Sequence, residues 1–228
     1  MPITTCIFDA YGTLFDVAAA ARQAAGESDF AAIRDSWPVL ADHWRQKQLQ
    51  YTWLRAITGA HTDFWEVTQN GLDWALEKTG VAGDAALRER LLALYWELQA
   101  FREVPAMLHA LKDAGLNTAI LSNGSPDMLA GAVQSAGIGD VLDDCLSVES
   151  VGIFKPDARV YDLVGQRFGT RPDEVLFVSS NGWDAAGASG YGFQTVWVNR
   201  ANEPVDRLPW TPQDILPDLS GIPALAGV

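Results

Sequence analysis

Five short apolar runs without strict alternation constrain the fold before anything else. They are TTCIF (4–8), NTAIL (117–121), CLSV (145–148), EVLFV (174–178) and QTVWV (194–198). A strand with one wet face alternates apolar and polar residues, whereas runs this uniform belong to parallel strands covered on both faces. Helix-like stretches separate the later runs. SPDMLAGAVQSAG opens on Ser-Pro-Asp and stops at Gly137, and PDARVYDLVGQRFG opens on Pro-Asp and stops at Gly169. Both carry start and stop signals of helices. Strand alternating with helix predicts an α/β fold, a Rossmann-like doubly wound parallel sheet.

Residues 16–98 break that rhythm. They hold no convincing strand, are rich in Ala, Leu, Trp, Gln, Arg and Glu, and break near Gly26, Gly59, Gly71 and Gly80–Gly83. The simplest account is an inserted all-helical cap subdomain over 16–98, leaving 1–15 and 99–228 as the α/β core. The tail after Val198 holds five prolines from Pro204 on and is expected to wrap the surface.

The chain carries a formal charge of −13 and a pI near 4.5. Nucleic acids and anionic membranes need basic patches, so neither is expected as a partner. No apolar run approaches a membrane span and no basic segment precedes an apolar one at the start, which points to a cytoplasmic protein. No Cys/His spacing suggests zinc. His43, His61 and His109 lie outside the polar stretches that follow the strand-like runs and are expected to serve packing or surface roles.

In open α/β sheets ligands bind at the carboxyl ends of the strands. After the first run comes Asp9-Ala-Tyr-Gly-Thr13, after the second Ser122-Asn123, after the third and a short loop Lys155-Pro-Asp, and after the fourth Ser179-Ser-Asn-Gly-Trp-Asp184. Taken singly, Asp or Ser at such places caps helices or closes turns. Four polar ends in order, carrying Asp, Ser/Asn, Lys and Asp, are harder to assign to turns.

These stretches resemble the haloacid dehalogenase superfamily, and within it the L-2-haloacid dehalogenases. FDAYGTLFD, LSNGSP, KPDARVY and FVSSNGWDA match the core motifs, and WRQKQLQYTWLR (44–55) matches the helical insertion. The resemblance implies hydrolysis of short L-2-haloalkanoic acids to D-2-hydroxy acids through an ester on Asp9, with water and halide as the other small partners. It implies Thr13 and Lys155 orienting Asp9, Asp184 as the base that activates water, helped by Asn181 and Lys155, and Ser179 bracing Lys155 or the ester. Arg45 would abstract the halide. Ala10, Tyr11, Gln46, Leu49, Phe64 and Trp183 would contact substrate in an apolar pocket. Ser122 and Asn123 would bind its carboxylate, and Tyr161 would hydrogen-bond near Lys155 or Asp9. A homodimer and the absence of any metal or other cofactor are likewise implied. The family's strand order puts the second strand between Cys6 and Cys145, about 9.6 Å apart at the usual spacing and too far for a disulfide.

The residues bear on the choice within the superfamily. Its phosphatases carry Asp-x-Asp in the first motif, but here the second acid is Tyr11. Ser179, Ser180 and Asn181 stand where acidic metal ligands are usual, and two carboxylates with a lysine make a poor Mg²⁺ site. A phosphatase or phosphonate hydrolase is the alternative. An α/β-hydrolase would need a histidine late in the chain, and His109 is the last. A binding protein derived from the enzyme would be expected to lack some of Asp9, Lys155 and Asp184.

Overall fold

Every residue of β1 (Thr5–Phe8) is buried, as a parallel strand covered on both faces requires. The computed structural model describes residues 2–228. After β1 the chain runs through α1 (Ala19–Gly26), α2 (Trp37–Thr58), α3 (Phe64–Thr79) and α4 (Ala85–Trp96). It then alternates: α5 (Val104–Asp113), β2 (Asn117–Ser122), α6 (Pro126–Ala136), β3 (Asp144–Ser147), α7 (Ala158–Phe168), β4 (Val175–Ser179), α8 (Gly182–Tyr191) and β5 (Gln194–Val198). A last strand, β6 (Asp214–Leu216), and a short α9 (Ile222–Leu225) end the chain.

The sheet order is β3-β2-β1-β4-β5-β6, and every neighbouring pair is parallel. The order reverses between β1 and β4, which opens a crevice at their carboxyl ends. β6 corrects the expectation of a tail that only wraps the surface. It pairs Val196 with Asp214 and Val198 with Leu216. Its three residues, set between Pro212 and Pro217, are too short a run to signal a strand in sequence.

Cys6 pairs with Thr118 on one side of β2, and Cys145 with Ile120 on the other. β2 therefore separates the two thiols, and both are free. Burial pushes Cys6 up to about 12 and Cys145 to about 11, so neither is a ready nucleophile.

Helices alone fill the stretch from α1 to α4 among the described residues. Where the chain leaves β1 and where it returns, Phe15 and Ala100 form an antiparallel bridge, flanked by Asp16 N–H to Gln99 O at 3.0 Å and Phe101 N–H to Leu14 O at 2.9 Å. α2 and α3 pack closely because Gly71 has no side chain. A Cβ there would lie 3.2 Å from the Gln48 nitrogen and 3.4 Å from Trp44 Cδ1. Across this contact the Trp44 indole donates to Thr68 O at 2.8 Å, and Gln48 Nε2 donates to Thr68 Oγ1 at 2.7 Å and Tyr95 Oη at 3.0 Å. Buried polar groups left unpaired are costly, and here each finds a partner that also fixes the register of the two helices.

His61, in the α2–α3 connection, is closer to the motifs in space than in sequence. Its ring packs on Phe154, the residue before Lys155, at 4.7 Å between centroids, and its Nε2 lies 3.0 Å from Glu149 Oε2.

Candidate active site

Asp9 leaves β1 with its N–H bonded to Val178 O of β4 at 2.9 Å, which sets its carboxylate at the crevice where the sheet order reverses. A tight turn follows, in which Ala10 O accepts from the N–H groups of Thr13, Leu14 and Phe15. Gly12 makes that turn with φ of +92°, and a Cβ there would lie 3.0 Å from Ser180 Oγ. Both conditions favour glycine.

Three side chains hold the Asp9 carboxylate. Lys155 Nζ donates to Oδ1 at 3.2 Å, while Asn181 Nδ2 and Thr13 Oγ1 donate to Oδ2 at 2.9 and 3.1 Å. Lys155 Nζ also donates to Asp184 Oδ2 at 2.9 Å, and Tyr161 Oη donates to Asp184 Oδ1 at 2.8 Å. Lys155 and Asp184 are almost wholly removed from water. Burial pulls the Lys155 ammonium down, but Asp184 and Asp9 together outweigh it and hold it above the ordinary lysine value. Burial, reinforced by the charge of Asp9, pushes Asp184 above the usual aspartate value against the pull of Lys155. The centre thus gathers two aspartates around one buried lysine.

Asp184 sits in the first turn of α8, where a capping role is the simplest local reading of an aspartate. Its side chain turns instead to Lys155 and Tyr161, and Asn181 occupies the N-cap. Tyr161 reaches Asp184 rather than Lys155 or Asp9. Ser179 does not brace Lys155 or Asp9 by any hydrogen bond among the described residues. Its Oγ accepts the N–H of Asn181 at 3.1 Å, closing the turn after β4.

Arg45 reaches down from α2 and ties the helices to the sheet. It donates to Tyr11 O at 3.0 Å, Asn181 Oδ1 at 3.1 Å and Gln48 Oε1 at 2.8 Å. Asn181 is therefore gripped at both ends of its amide, by Arg45 and by Asp9. A small cavity lies among these groups. Asp9, Arg45, Ser122, Asn123 and Asn181 supply its polar lining, and Tyr11, Leu49, Phe64 and Trp183 its apolar walls. The Tyr11 ring stacks on Tyr95 at 5.6 Å and 18°, and burial pushes its hydroxyl well above the ordinary tyrosine value. Ser122 Oγ accepts the Gly124 N–H at 3.0 Å, which leaves its own proton to donate. Asn123 Oδ1 accepts the Lys155 N–H at 3.0 Å, so the residue that faces the cavity also positions the lysine backbone.

Two expected substrate contacts fall outside this lining. Gln46 is exposed, and its amide donates to Asp42 at 2.7 Å. One position along a helix turns a side chain by about 100°, so Gln46 cannot share the face of Arg45. Ala10 is buried in the turn beneath the cavity. Three other residues, given no catalytic or substrate role by the sequence, are part of the arrangement. Ser180 N–H donates to Thr13 Oγ1 at 2.8 Å, Arg200 donates to Thr13 O at 3.2 Å, and Gln48 holds Arg45. Gln48 lies three residues beyond Arg45 and was legible as its helical neighbour. Arg200 follows β5, where no motif marks it.

Among the described residues no cluster of three His, Cys, Asp or Glu side chains could hold a metal ion. The donor set agrees, because the two carboxylates already bracket the Lys155 ammonium. No helix among the described residues is long and apolar enough to cross a membrane.

An α/β sheet with an aspartate at the end of β1, a lysine after β3 and an aspartate after β4 defines a class of hydrolases, and comparison with known proteins agrees. Residues 3–192 match the haloacid dehalogenase-like hydrolase family model. The chain is 44% identical to (S)-2-haloacid dehalogenase 1 of Pseudomonas sp. strain CBS-3, over 98% of this chain and 96% of that one. A crystal structure of a dehalogenase superposes with a TM-score of 0.92 at 38% identity, covering 98% of this chain and 96% of that one. The L-2-haloacid dehalogenase of Xanthobacter autotrophicus, solved with chloropropionic acid covalently bound, gives 0.86 at 35% identity, covering 99% and 98%. The chain belongs to the haloacid dehalogenase-like hydrolase family.

Proposed function

We infer that this chain is an (S)-2-haloacid dehalogenase, hydrolysing short L-2-haloalkanoic acids to D-2-hydroxy acids without a metal. The observation that carries the reading is the position of Lys155 Nζ between Asp9 and Asp184. It supplies in one fixed ammonium the positive charge that a metal supplies to phosphatases of this fold. Tyr11 stands where their second acid would be. A carbon–halogen bond has no phosphoryl oxygens to neutralise, and its leaving group needs no proton.

In the first step an oxygen of Asp9 attacks the carbon bearing the halogen from the side opposite the halide. The carbon–oxygen ester bond forms as the carbon–halogen bond breaks, and the halide departs with the electron pair. Lys155, Asn181 and Thr13 hold the carboxylate at a fixed angle, which lowers the cost of reaching the attack geometry. Arg45 meets the halide, while Ser122 and Asn123 hold the substrate carboxylate. In the second step water attacks the ester carbonyl of Asp9. Asp184 takes the water proton, its basicity raised by burial. Whichever Asp9 oxygen carries the ester, the other keeps a donor from Lys155 or from Asn181 and Thr13 as negative charge builds on it. The ester bond then breaks at the Asp9 carbonyl, the departing alkoxide takes the proton held by Asp184, and the 2-hydroxy acid leaves with inverted configuration while Asp9 gives up its remaining proton to solvent.

Residues 16–98 act as the cap that brings Arg45, Leu49 and Phe64 over the core formed by 1–15 and 99–228. The protein works in the cytoplasm, in keeping with two unpaired cysteines. It works as a homodimer, for which Val39 and Leu54 of α2 offer exposed apolar surface. Halide release from L- and D-2-chloropropionate, with and without EDTA, tests the reaction. Release from the L-enantiomer unaffected by EDTA is expected. Loss with EDTA, or no release from either enantiomer, would sink it.

A further inference from the structure

The cavity beside Asp9 is narrow. Its volume is about 10 Å³, room for roughly one water. That is too little room for a haloacid beside Asp9 with the walls as they stand, and three larger spaces share lining residues with the cavity. One of about 340 Å³ lies beyond Arg45, beside Trp37 and Ala41. Another of about 590 Å³ shares Leu49, Asn181 and Trp183 with the cavity and is lined also by Glu203, Asp206 and Arg207. The third, of about 570 Å³, shares Trp183 alone and is mainly apolar, with Trp53, Ile57, Phe154, Leu208 and Trp210 around it. Its carboxylate, Asp157, is already engaged by Arg159.

The walls differ in what holds them. Moving Arg45 breaks hydrogen bonds to Gln48, Tyr11 and Asn181, and moving Asn181 breaks its bonds to Arg45 and Asp9. Trp183 is half-buried, its indole N–H has no acceptor, and its ring leans edge-on against Trp53 at 5.3 Å between centroids. Swinging it breaks no hydrogen bond and offers the buried N–H a route to one.

We propose that Trp183 is the gate of the catalytic cavity, and that the apolar cleft behind it receives the alkyl chain of larger 2-haloacids. Arg45, Leu49, Trp53 and Ile57 recur every four residues along one face of α2. That stripe runs about 18 Å, from the catalytic cavity past Trp183 into the cleft. The neighbouring charged space is the poorer host, because an alkyl chain laid there would strip water from charged groups without pairing them. The inference rests on the dehalogenase reading and extends it to chain length.

Bromide release is compared for 2-bromopropionate and 2-bromooctanoate with the wild-type chain and with Ile57→Glu, Trp183→Ala and Ala41→Phe. Ile57 is 82% exposed and makes no part of the catalytic cavity, so a charge there leaves folding and the short substrate alone. Ile57→Glu is expected to lower kcat/KM for the octanoate about ten-fold, the scale of losing apolar contacts in a pocket. Trp183→Ala is expected to raise the ratio of octanoate to propionate kcat/KM, whatever it does to each value. A ratio unmoved by both substitutions, or one that falls only in Ala41→Phe, overturns the proposal. Refusal of the octanoate by every chain that turns over propionate overturns it as well. No bromide from either substrate overturns the dehalogenase reading beneath it.

Discussion

Lys155 Nζ stands 3.2 Å from Asp9 Oδ1 and 2.9 Å from Asp184 Oδ2, so one buried ammonium serves both carboxylates. Removing it leaves two buried aspartates side by side with no counter-charge between them. Lys155→Met is therefore expected to destabilise the fold by about 3–5 kcal/mol, the usual cost of breaking a buried pair. Loss of the donor at Asp9 lowers kcat by a further 10²–10³-fold, on the order seen for a single oxyanion donor. Urea denaturation and halide release read the two effects separately. Unchanged stability would show that the lysine is not the counter-charge of this centre.

Tyr161 donates to Asp184 and so favours its ionised form. Asp184 already lies above the ordinary aspartate value because it is buried. A base must be ionised to act, so a raised value moves the acid limb of the pH–rate profile upward from the usual carboxylate range. Tyr161→Phe removes one donor to the ionised form and is expected to move that limb higher still. A limb that stays in place in the variant would mean that another group controls it.

Arg45 is gripped at Gln48, Tyr11 O and Asn181 by a planar fork that lysine cannot reproduce. Arg45→Lys keeps the charge and loses the simultaneous contacts. A fall in kcat of roughly 10²-fold is expected, with thermal unfolding little changed because the residue is partly exposed. Full activity would remove Arg45 from the reaction.

Much of this site could be read from the chain itself. β1, β2, β4 and β5 are short, mainly apolar runs, and the polar residues at or just after the ends of β1, β2 and β4 turn out to face the crevice. Asp9, Lys155 and Asp184 were legible because three unrelated segments placed the right chemistry at the same end of a sheet. Other parts depend on geometry that no local pattern encodes. Ser180 and Arg200 support Thr13 from just beyond β4 and from beyond β5, through contacts far apart in sequence. Gln46 and Gln48 cannot be sorted by residue type, only by their angle around α2. β6 is too short to show periodicity, and its pairing with β5 gives it its structure.

Gly71 is the close-contact point of α2 and α3, with the Gln48 backbone 3.2 Å from where a Cβ would sit. Gly71→Ala gains helix propensity but forces apart the helices that carry Arg45 and Phe64. Such overpacking is expected to cost about 1–3 kcal/mol. A raised melting temperature in this variant would contradict the packing described for this pair.

The central claim is that the oxygen added to substrate comes from Asp9 and is restored from water. A single turnover with enzyme in excess, run in ¹⁸O water, tests it directly by mass spectrometry of the 2-hydroxy acid and of the peptide containing Asp9. The account predicts ¹⁸O in Asp9 and none in the product. Label in the hydroxy acid, with Asp9 unlabelled, would mean that water attacks the substrate itself and that no ester forms.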